Sequence, residues 1–250
     1  MNSLKKWLKK YFGKDMYDLQ YGRETVVTMA HKAFGDQNTS LKILDVGLGQ
    51  GTDIMNIDKS LPGQHDLYGI ENYEPYKVLA QKQNISVVDI NIEQDTFPFE
   101  DGTFDLIIIN QVLEHTKELY FILSEIQRVL KPDGICIVGV PNLASWHERI
   151  RLLIGKQPNC IRIAGPHIRG FTTEGFHDFL ELRQCFKVID FKGSYFYGLF
   201  FKKLNQLIAA LFPKLCVSIF FTIKHGDNRA PFTEYLEIQM LETNYFRGNS

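Results

Sequence analysis

Glycines alternate with other residues directly after an apolar run, in the segment Ile43-Leu-Asp-Val-Gly-Leu-Gly-Gln-Gly-Thr52. Gly47, Gly49 and Gly51 allow a sharp backbone turn, and a ligand can approach the main chain there because no Cβ stands in the way. A helix that begins after these glycines would point its free backbone N–H groups at the ligand. The segment therefore predicts a site for a nucleotide-like ligand, with Asp45 orienting the glycine loop through backbone hydrogen bonds.

Acidic residues after the next two apolar runs indicate which parts of a nucleoside this site could bind. Glu71 ends the run 67–71, about 20 residues after the glycines, where a carboxylate can accept hydrogen bonds from both hydroxyls of a ribose. Asp89 is placed to accept from an adenine amino group, and Ile90 to stack on the ring. A dinucleotide matches less well, because the fingerprint G-x-G-x-x-G would require glycine where the chain has Thr52.

His115 follows the fourth apolar run, 104–109, and is the first candidate for a catalytic base. The ordinary pKa of its imidazole, about 6.5, suits proton acceptance near neutral pH. The same imidazole could instead cap the next helix or hydrogen-bond the loop, and the sequence leaves both interpretations open. The neighbouring Glu114 fits the electrostatics of a helix N-terminus better than it fits chemistry.

A second candidate catalytic histidine, His167, lies in the segment 165–172. If that segment is extended, His167, Arg169 and Phe171 point the same way. Arg169 could then bind a phosphate or carboxylate of a substrate through its planar guanidinium, or it could pair with an acidic residue of the next helix. The candidate substrate-binding residues are Asn142, Arg169 and Tyr195.

The elements that position these residues alternate between short apolar runs and helical patterns, which is typical of a doubly wound α/β fold. Residues 105–110 are apolar at every interior position, as expected for a central strand that is covered on both faces. A helix is predicted over 118–130, followed by a turn at Lys131-Pro-Asp-Gly134, because proline cannot continue the helix and glycine supplies the turn. A further helix is expected to begin with Thr172 or Thr173 as its N-cap. Strands are predicted at 41–46, 67–71, 86–88, 104–109, 134–140, 186–191 and 217–224.

The ordered series of motifs resembles that of class I S-adenosylmethionine-dependent methyltransferases of the small-molecule or glycan type. The segments that carry this resemblance are 45–51, Glu71, Asp89, 97–105, 110–115 and 128–134. The resemblance implies a Rossmann-like, mostly parallel sheet of seven strands in the order 3-2-1-4-5-7-6, with the last strand antiparallel. It also implies S-adenosylmethionine as the cofactor and S-adenosylhomocysteine as the product. The chain departs from many relatives at Lys117-Glu118, where they carry an aspartate two positions after the histidine.

The resemblance further predicts how the chain is divided by role. The cofactor contacts are expected from Asp45, Gly47, Gly49, Gly51, Glu71, Asn72, Asp89, Ile90, Asn110, Gln111 and Val112. The expected parts are an N-terminal helical cap (1–40), the cofactor-binding α/β core (41–142), acceptor-side helices and loops (143–185), and the last two strands with an intervening amphipathic helix and a C-terminal tail (186–250).

Charge and cysteine content narrow the class of protein. The 250 residues carry 28 Lys+Arg and 29 Asp+Glu, for a formal net charge of −1, which argues against a protein that grips nucleic acid through a basic stripe. The four cysteines form no C-x-x-C pair, so the sequence suggests neither a disulfide framework nor a zinc cluster, and no metal site is predicted. A reducing cytoplasm is the expected location.

Two amphipathic segments indicate possible contacts with a membrane or with a second copy of the chain. In residues 1–13 the apolar residues fall on one helical face and four lysines on the other, so this helix could lie on an anionic membrane or pack on the domain with its lysines in water. Residues 200–212 form a second amphipathic helix, whose apolar face is expected to cover the sheet, a substrate pocket or a partner in a homodimer. The apolar stretch around it, 195–223, is broken into pieces shorter than the about 20 residues that a membrane span needs.

Together with these features, the resemblance predicts a cytoplasmic or membrane-peripheral enzyme that methylates a hydroxyl of a small polar metabolite or of a sugar in a surface-polysaccharide pathway. Two other classes remain open from the sequence. One is a non-catalytic sensor or scaffold that retains the nucleoside pocket. The other is an NAD-linked oxidoreductase, which Thr52 disfavours.

Overall fold

A computed structural model describes residues 21–199, 201–238 and 244–248. Within these residues, one sheet has seven strands in the order β3-β2-β1-β4-β5-β7-β6, and β7 runs antiparallel to both of its neighbours. The expected α/β fold and strand order are confirmed. The strands are β1 (Lys42–Val46), β2 (Asp66–Ile70), β3 (Ser86–Val88), β4 (Phe104–Asn110), β5 (Leu130–Pro141), β6 (Phe186–Ser194) and β7 (Ser218–His225).

Helices cover both faces of the sheet. The α-helices are α1 (Arg23–Phe34), α2 (Thr52–Ser60), α3 (Glu74–Gln81), α4 (Leu119–Val129), α5 (Trp146–Leu153), α6 (Thr173–Leu180), α7 (Lys202–Leu211) and α8 (Tyr235–Ile238). Ile107 of β4 belongs to the core layer under α4 and α6, whereas Ile108 belongs to the layer under α1 and α2. The apolar interior of β4 is thus explained by burial on both faces, as its sequence predicts.

The segment Lys131–Gly134 does not form the predicted turn. Helix α4 ends at Val129, and the chain enters β5 already at Leu130. Leu130 pairs with Phe104, and the register then shifts before the next pair, so an irregularity in the strand absorbs the intervening residues. A Cβ on Gly134 would lie 2.9 Å from the Phe104 carbonyl oxygen, so glycine is needed here for close approach of two strands.

Helix α7 is turned the opposite way from the prediction. Leu204, Leu207 and Leu211 are 43%, 57% and 61% exposed, while the polar Asn205 is fully buried. The Asn205 side chain donates to the Phe196 and Leu199 carbonyls and accepts from the Phe196 amide, at 2.8 to 2.9 Å. The expected covering of the sheet or of a pocket by the apolar face is therefore wrong, because α7 docks through this amide.

The predicted basic helix, residues 1–13, lies outside the described residues. Among the helices that the structure does describe, none combines the length and the apolar character that crossing a membrane requires. The predicted homodimer and membrane contact stay predictions.

Candidate active site at the carboxyl edge of the sheet

The loop between β1 and α2 has the backbone shape that its glycines predict. Gly47, Gly49 and Gly51 have φ of 76°, 55° and 73°, in the left-handed region that favours glycine. A Cβ on Gly47 would lie 2.4 Å from Cγ2 of Val112, so the loop packs tightly there against the segment after β4. A Cβ on Gly49 would meet nothing within 4 Å, so the loop is open at this point.

Glu71 ties this loop to the end of β2. Its Oε2 accepts a hydrogen bond from the Gly49 amide and its Oε1 accepts one from the Tyr73 amide, both at 2.8 Å. Asn72 between them is exposed. The carboxylate predicted to bind a ribose therefore lies directly beside the open part of the glycine loop.

Asp45 is buried at the end of β1. Burial raises the pKa of its carboxyl well above the usual value, and the nearby Asp53 raises it further. The Ile54 backbone amide and the Arg23 guanidinium oppose this rise in the pKa. The hydrogen bond from Ile54 links Asp45 to the first turn of α2.

At the end of β4, two buried polar atoms have no hydrogen-bond partner among the described residues. The Asn110 amide nitrogen donates to the Tyr21 carbonyl at 3.0 Å and to Oδ2 of Asp53 at 2.9 Å, but its Oδ1 has no partner. Nε2 of Gln111 has none either, and Gln111 has a φ of 58°. Since a buried polar group without a partner is costly, these atoms fit a site that a ligand completes.

Asp89 lies at the end of β3, where its carboxylate pairs with the Lys77 ammonium. Lys77 also contacts Glu74, and the two carboxylates raise the pKa of Lys77, Asp89 more than Glu74. Ile90 packs partly against the core. Their predicted adenine contacts stay predictions.

A cavity of about 490 Å³ opens beside the segment after β4. Both candidate histidines, His115 and His167, line it, together with Tyr195. The histidine rings meet edge to face with centroids 4.7 Å apart, because the Ile168 amide donates to the Glu114 carbonyl at 2.9 Å and holds the two segments together. The full lining is Tyr21, Gln111, Glu114, His115, Pro141, His147, Glu148, Asn159, Cys160, Arg162, Pro166, His167, Tyr195, Tyr197, Val217 and Ser218.

The titratable groups of this cavity are perturbed by burial. Burial lowers the pKa of His115, and the neighbouring His167 lowers it further, so the neutral imidazole is favoured. Burial raises the pKa of Glu114 to about 8, which favours its protonated carboxyl at neutral pH. A carboxyl and an imidazole with shifted pKa values, in one cavity with a second imidazole, are typical of a functional site.

His147 and Glu148 at the start of α5 were not predicted as site residues. Glu148 is buried and accepts hydrogen bonds from the Asn159 amide at 2.9 and 3.0 Å, while Nε2 of His147 lies 3.2 Å from its Oε1. Burial lowers the pKa of His147, and Glu148 partly offsets this. The signal in the sequence was a polar pair directly after β5, at the same edge as the other candidates.

Two predicted substrate residues lie outside the lining of this cavity. The Asn142 amide is fully used, since its nitrogen donates to the Lys214 and Cys216 carbonyls and its oxygen accepts from the Ala144 amide. Arg169 donates to the Lys117 carbonyl at 3.1 Å and pairs with no acidic residue of α6 within the part of the chain that the structure describes.

The side chains of His167, Arg169 and Phe171 do not share one site, as they would if they pointed the same way. His167 lines the cavity, but Arg169 does not, and Phe171 is buried in the core. The Ile168 amide donates to the Glu114 carbonyl, whereas the Phe171 carbonyl accepts from the Leu143 amide, so the two ends of the segment are attached to different parts of the molecule. The predicted N-cap is confirmed, since Oγ1 of Thr172 accepts from the third amide of α6.

Part of the chain is similar to known proteins. Residues 44–138 match the family model described as a methyltransferase domain. Demethylmenaquinone methyltransferase of Lactococcus lactis subsp. lactis is 33% identical over 131 residues, which cover 48% of this chain and 51% of that protein. Mitochondrial arginine-hydroxylase NDUFAF5 of Mus musculus is 30% identical over 94 residues, covering 38% of this chain and 27% of that protein.

Among solved structures, 1,6-didemethyltoxoflavin-N1-methyltransferase of Burkholderia thailandensis, with bound 1,6-didemethyltoxoflavin and S-adenosylhomocysteine, superposes with a TM-score of 0.56. It is 16% identical, and the superposition covers 88% of this chain and 84% of that one. This likeness shows the same fold. The chain matches only about a quarter to a half of the length of the two curated relatives.

Proposed function

We propose that this chain is a class I S-adenosylmethionine-dependent methyltransferase, because residues 44–138 match the family model of a methyltransferase domain. It would transfer the sulfonium methyl group to a hydroxyl of a small polar metabolite or of a sugar in a surface-glycan pathway. The observation that carries the proposal is the cavity lined by His115 and His167 together with Gln111, the residue before the Val112 that packs on Gly47 of the glycine loop. Ligands of open α/β sheets bind at the carboxyl ends of the strands.

The residues around the glycine loop fit the cofactor. Gly49 leaves open space beside its backbone, and Glu71 stands next to it with a carboxylate suited to ribose hydroxyls. At the end of β4, the Asn110 and Gln111 atoms that lack a hydrogen-bond partner among the described residues supply further polar groups. We propose that Asn72, Asp89, Ile90 and Val112 complete this site. When bound, the cofactor supplies a methyl group that is already activated by its positive sulfur.

The remaining task of the protein is to orient an acceptor and to activate it. Alignment for in-line attack and exclusion of water account for most of the rate in such a reaction. As the O–C bond forms and the S–C bond breaks, the hydroxyl loses its proton. We propose that His115 and His167 activate the hydroxyl, with a neutral imidazole Nε2 accepting that proton.

The lining of the cavity supports a sugar-like acceptor. Tyr197 stacks on the His147 ring with centroids 4.2 Å apart, and Tyr195 lines the same wall, so aromatic surface alternates with hydrogen-bonding groups. Arg162 is exposed in the lining, where its guanidinium could bind a phosphate of a nucleotide-linked sugar. Tyr195 is thereby retained as a proposed substrate residue, whereas the bonds of Asn142 and Arg169 favour structural roles.

The proposal extends to the cellular location and the partners of the protein. A cytoplasmic location, peripheral contact of residues 1–13 with an anionic membrane, and a homodimer without nucleic acid partners would suit an enzyme beside a membrane-bound glycan assembly line. Vesicle sedimentation with and without residues 1–13 tests the membrane contact. Unchanged binding after truncation would remove it.

Calorimetry tests the cofactor and metabolite analysis tests the acceptor. The purified chain is expected to bind S-adenosylmethionine and S-adenosylhomocysteine but not NAD; binding of NAD alone would overturn the assignment. A strain lacking the protein is expected to lose one methyl group from a single hydroxyl-bearing metabolite, as mass spectrometry would show. Cofactor binding without turnover on any hydroxyl acceptor would favour a sensor.

A further inference from the structure

Three metal-ligating side chains meet in the cavity, from two segments about 50 residues apart in the chain. One ligand atom each of Glu114, His115 and His167 lies within 4.8 Å of the other two. We infer that these three side chains bind one divalent transition-metal ion. Nothing in the sequence predicted this site, because the third ligand comes from a separate loop.

Both histidines are oriented as metal ligands usually are. Nδ1 of His115 lies 3.3 Å from the Pro166 carbonyl oxygen, and Nδ1 of His167 lies 2.6 Å from the Cys160 carbonyl oxygen. A proton on Nδ1 donates to each carbonyl and leaves the lone pair of Nε2 unprotonated. Such an outer hydrogen bond fixes the tautomer and the ring plane of a ligating histidine.

Glu114 supplies an independent observation at the same point. Its side chain is 1% exposed, and its Oε2 has no hydrogen-bond partner among the described residues. Its Oε1 lies 4.0 Å from Nε2 of His115, so the carboxyl group faces the ligating nitrogen of the neighbouring ring. A cation there would give the buried oxygen the partner that it lacks.

The donor set selects the class of ion. Two imidazoles and one carboxylate, which forms when the ion displaces the proton of Glu114, suit zinc, manganese or iron(II), whereas magnesium and calcium prefer ligands that are all oxygen. Bonds of about 2.1 Å place neighbouring ligand atoms about 3 to 3.5 Å apart, so small side-chain rotations must close the present spacing. Three protein ligands leave coordination positions open toward the cavity, as in catalytic sites.

The role of the ion rests on the proposed function, although its binding does not. An ion in the cavity would favour acceptors that offer two adjacent oxygens, such as a vicinal diol or a hydroxy acid. With the Nε2 lone pairs engaged, neither imidazole could accept the proton; the ion would instead lower the pKa of the bound acceptor hydroxyl, whose proton would pass to water. The same residues would therefore activate the acceptor in either case.

Metal binding is tested on the full chain after tag removal and chelator treatment. Calorimetry with zinc or manganese is expected to give one ion per chain, and cobalt(II) is expected to give visible absorption bands typical of nitrogen and oxygen ligands. His115→Gln and His167→Gln are each expected to weaken binding at least about tenfold. His177→Gln, at a half-exposed histidine of α6 outside the cavity, is the matched control and should bind as the wild type does.

Three results would overturn the inference: no stoichiometric binding by the wild type, weak binding of several ions, or unchanged affinity in both cavity variants. Circular dichroism checks that each variant is folded. The cobalt(II) spectrum of the wild type does not depend on any variant. Calorimetry with S-adenosylmethionine on the metal-free chain separates the two proposals: cofactor binding without metal binding would reject only the metal site.

Discussion

At the scale of single residues, conformation explains why particular residue types stand at this edge. Gly47, Gly49 and Gly51 all adopt left-handed φ, but for different packing reasons. Gly47 is tight against Val112, whereas the space beside Gly49 is open. Gly49 is therefore the position where a side chain would affect a ligand most and the surrounding protein least.

Gly49→Ala is expected to weaken S-adenosylmethionine binding at least about tenfold, because the added methyl group occupies the open space and the left-handed backbone costs about 1–2 kcal/mol with a side chain. Gly155→Ala is the matched control, since Gly155 has a φ of 71° and likewise no atom within 4 Å of a built Cβ, but lies in the loop after α5. Calorimetry should show affinity within about twofold of the wild type for the control. Equal losses in both variants would contradict the placement of the cofactor.

His115→Gln and His167→Gln are each expected to lower kcat by about 10²- to 10⁴-fold once an acceptor is known. The proposed base is the neutral imidazole, so activity is expected to fall as the pH drops through its pKa. Because burial lowers the pKa of His115, the acidic limb of the kcat profile should lie below the ordinary value of about 6.5. If both variants keep the wild-type kcat and pH profile, neither histidine is the proton acceptor.

Among the secondary-structure elements, α7 shows that one side chain can decide which face of an amphipathic helix is buried. Asn205 makes three hydrogen bonds with the backbone of residues 196–199, and these hold the loop that carries Tyr195 and Tyr197 to the cavity. Tyr195 itself has a φ of 62°, a strained conformation that the Val217 amide helps to hold by donating to its carbonyl. The loop therefore depends on the helix behind it.

Asn205→Ala is expected to lower the free energy of unfolding by about 1–3 kcal/mol, because it leaves buried backbone groups of the loop without partners. Leu207→Gln, two residues away on the exposed face, should change it by less than about 0.5 kcal/mol. Urea titration of both variants measures the difference. A larger effect at Leu207 than at Asn205 would mean that the apolar face is covered after all.

At the scale of the whole molecule, the parallel strands bring their carboxyl ends to one edge, and buried acidic groups accumulate there. The raised pKa of Asp45 makes the folded state hold a proton that the unfolded chain has already released. Stability conferred by this group therefore falls as the pH rises from its unfolded pKa of about 3.9 through its folded pKa. The buried Asp45 therefore lowers the stability of the folded protein at pH values above about 3.9.

Asp45→Asn is expected to flatten this part of the dependence of unfolding free energy on pH, because the amide does not titrate. Asp36→Asn is the matched control, because it removes a carboxylate in the exposed turn after α1. The slope of its unfolding free energy against pH should be that of the wild type. Chemical denaturation at a series of pH values above about 4 measures both. Parallel curves for wild type and Asp45→Asn would show that this carboxyl is ionised in the folded protein.

Much of the core could be read from the sequence, because its signals are local. The predicted strand 86–88 matches β3 to the residue, and β4 differs from its prediction only by including Asn110. Apolar runs flanked by turns report burial within a few residues of themselves. The signal fails at Lys131–Gly134, where pairing with β4 overrides the local preference for a turn.

Local residue patterns were enough to predict the glycine loop and the acidic Glu71 at the end of the next strand, whereas the order of the strands came from the resemblance of the ordered motifs to a known family. Only the tertiary structure decided that His167 meets Glu114 and His115, that Asn142 and Arg169 lie outside the cavity, and that His147 with Glu148 joins its wall. The physical reason is the path of the irregular chain between α5 and α6. A few backbone hydrogen bonds, such as the one from Ile168 to Glu114, fix that path, and they leave no periodic signal in the sequence.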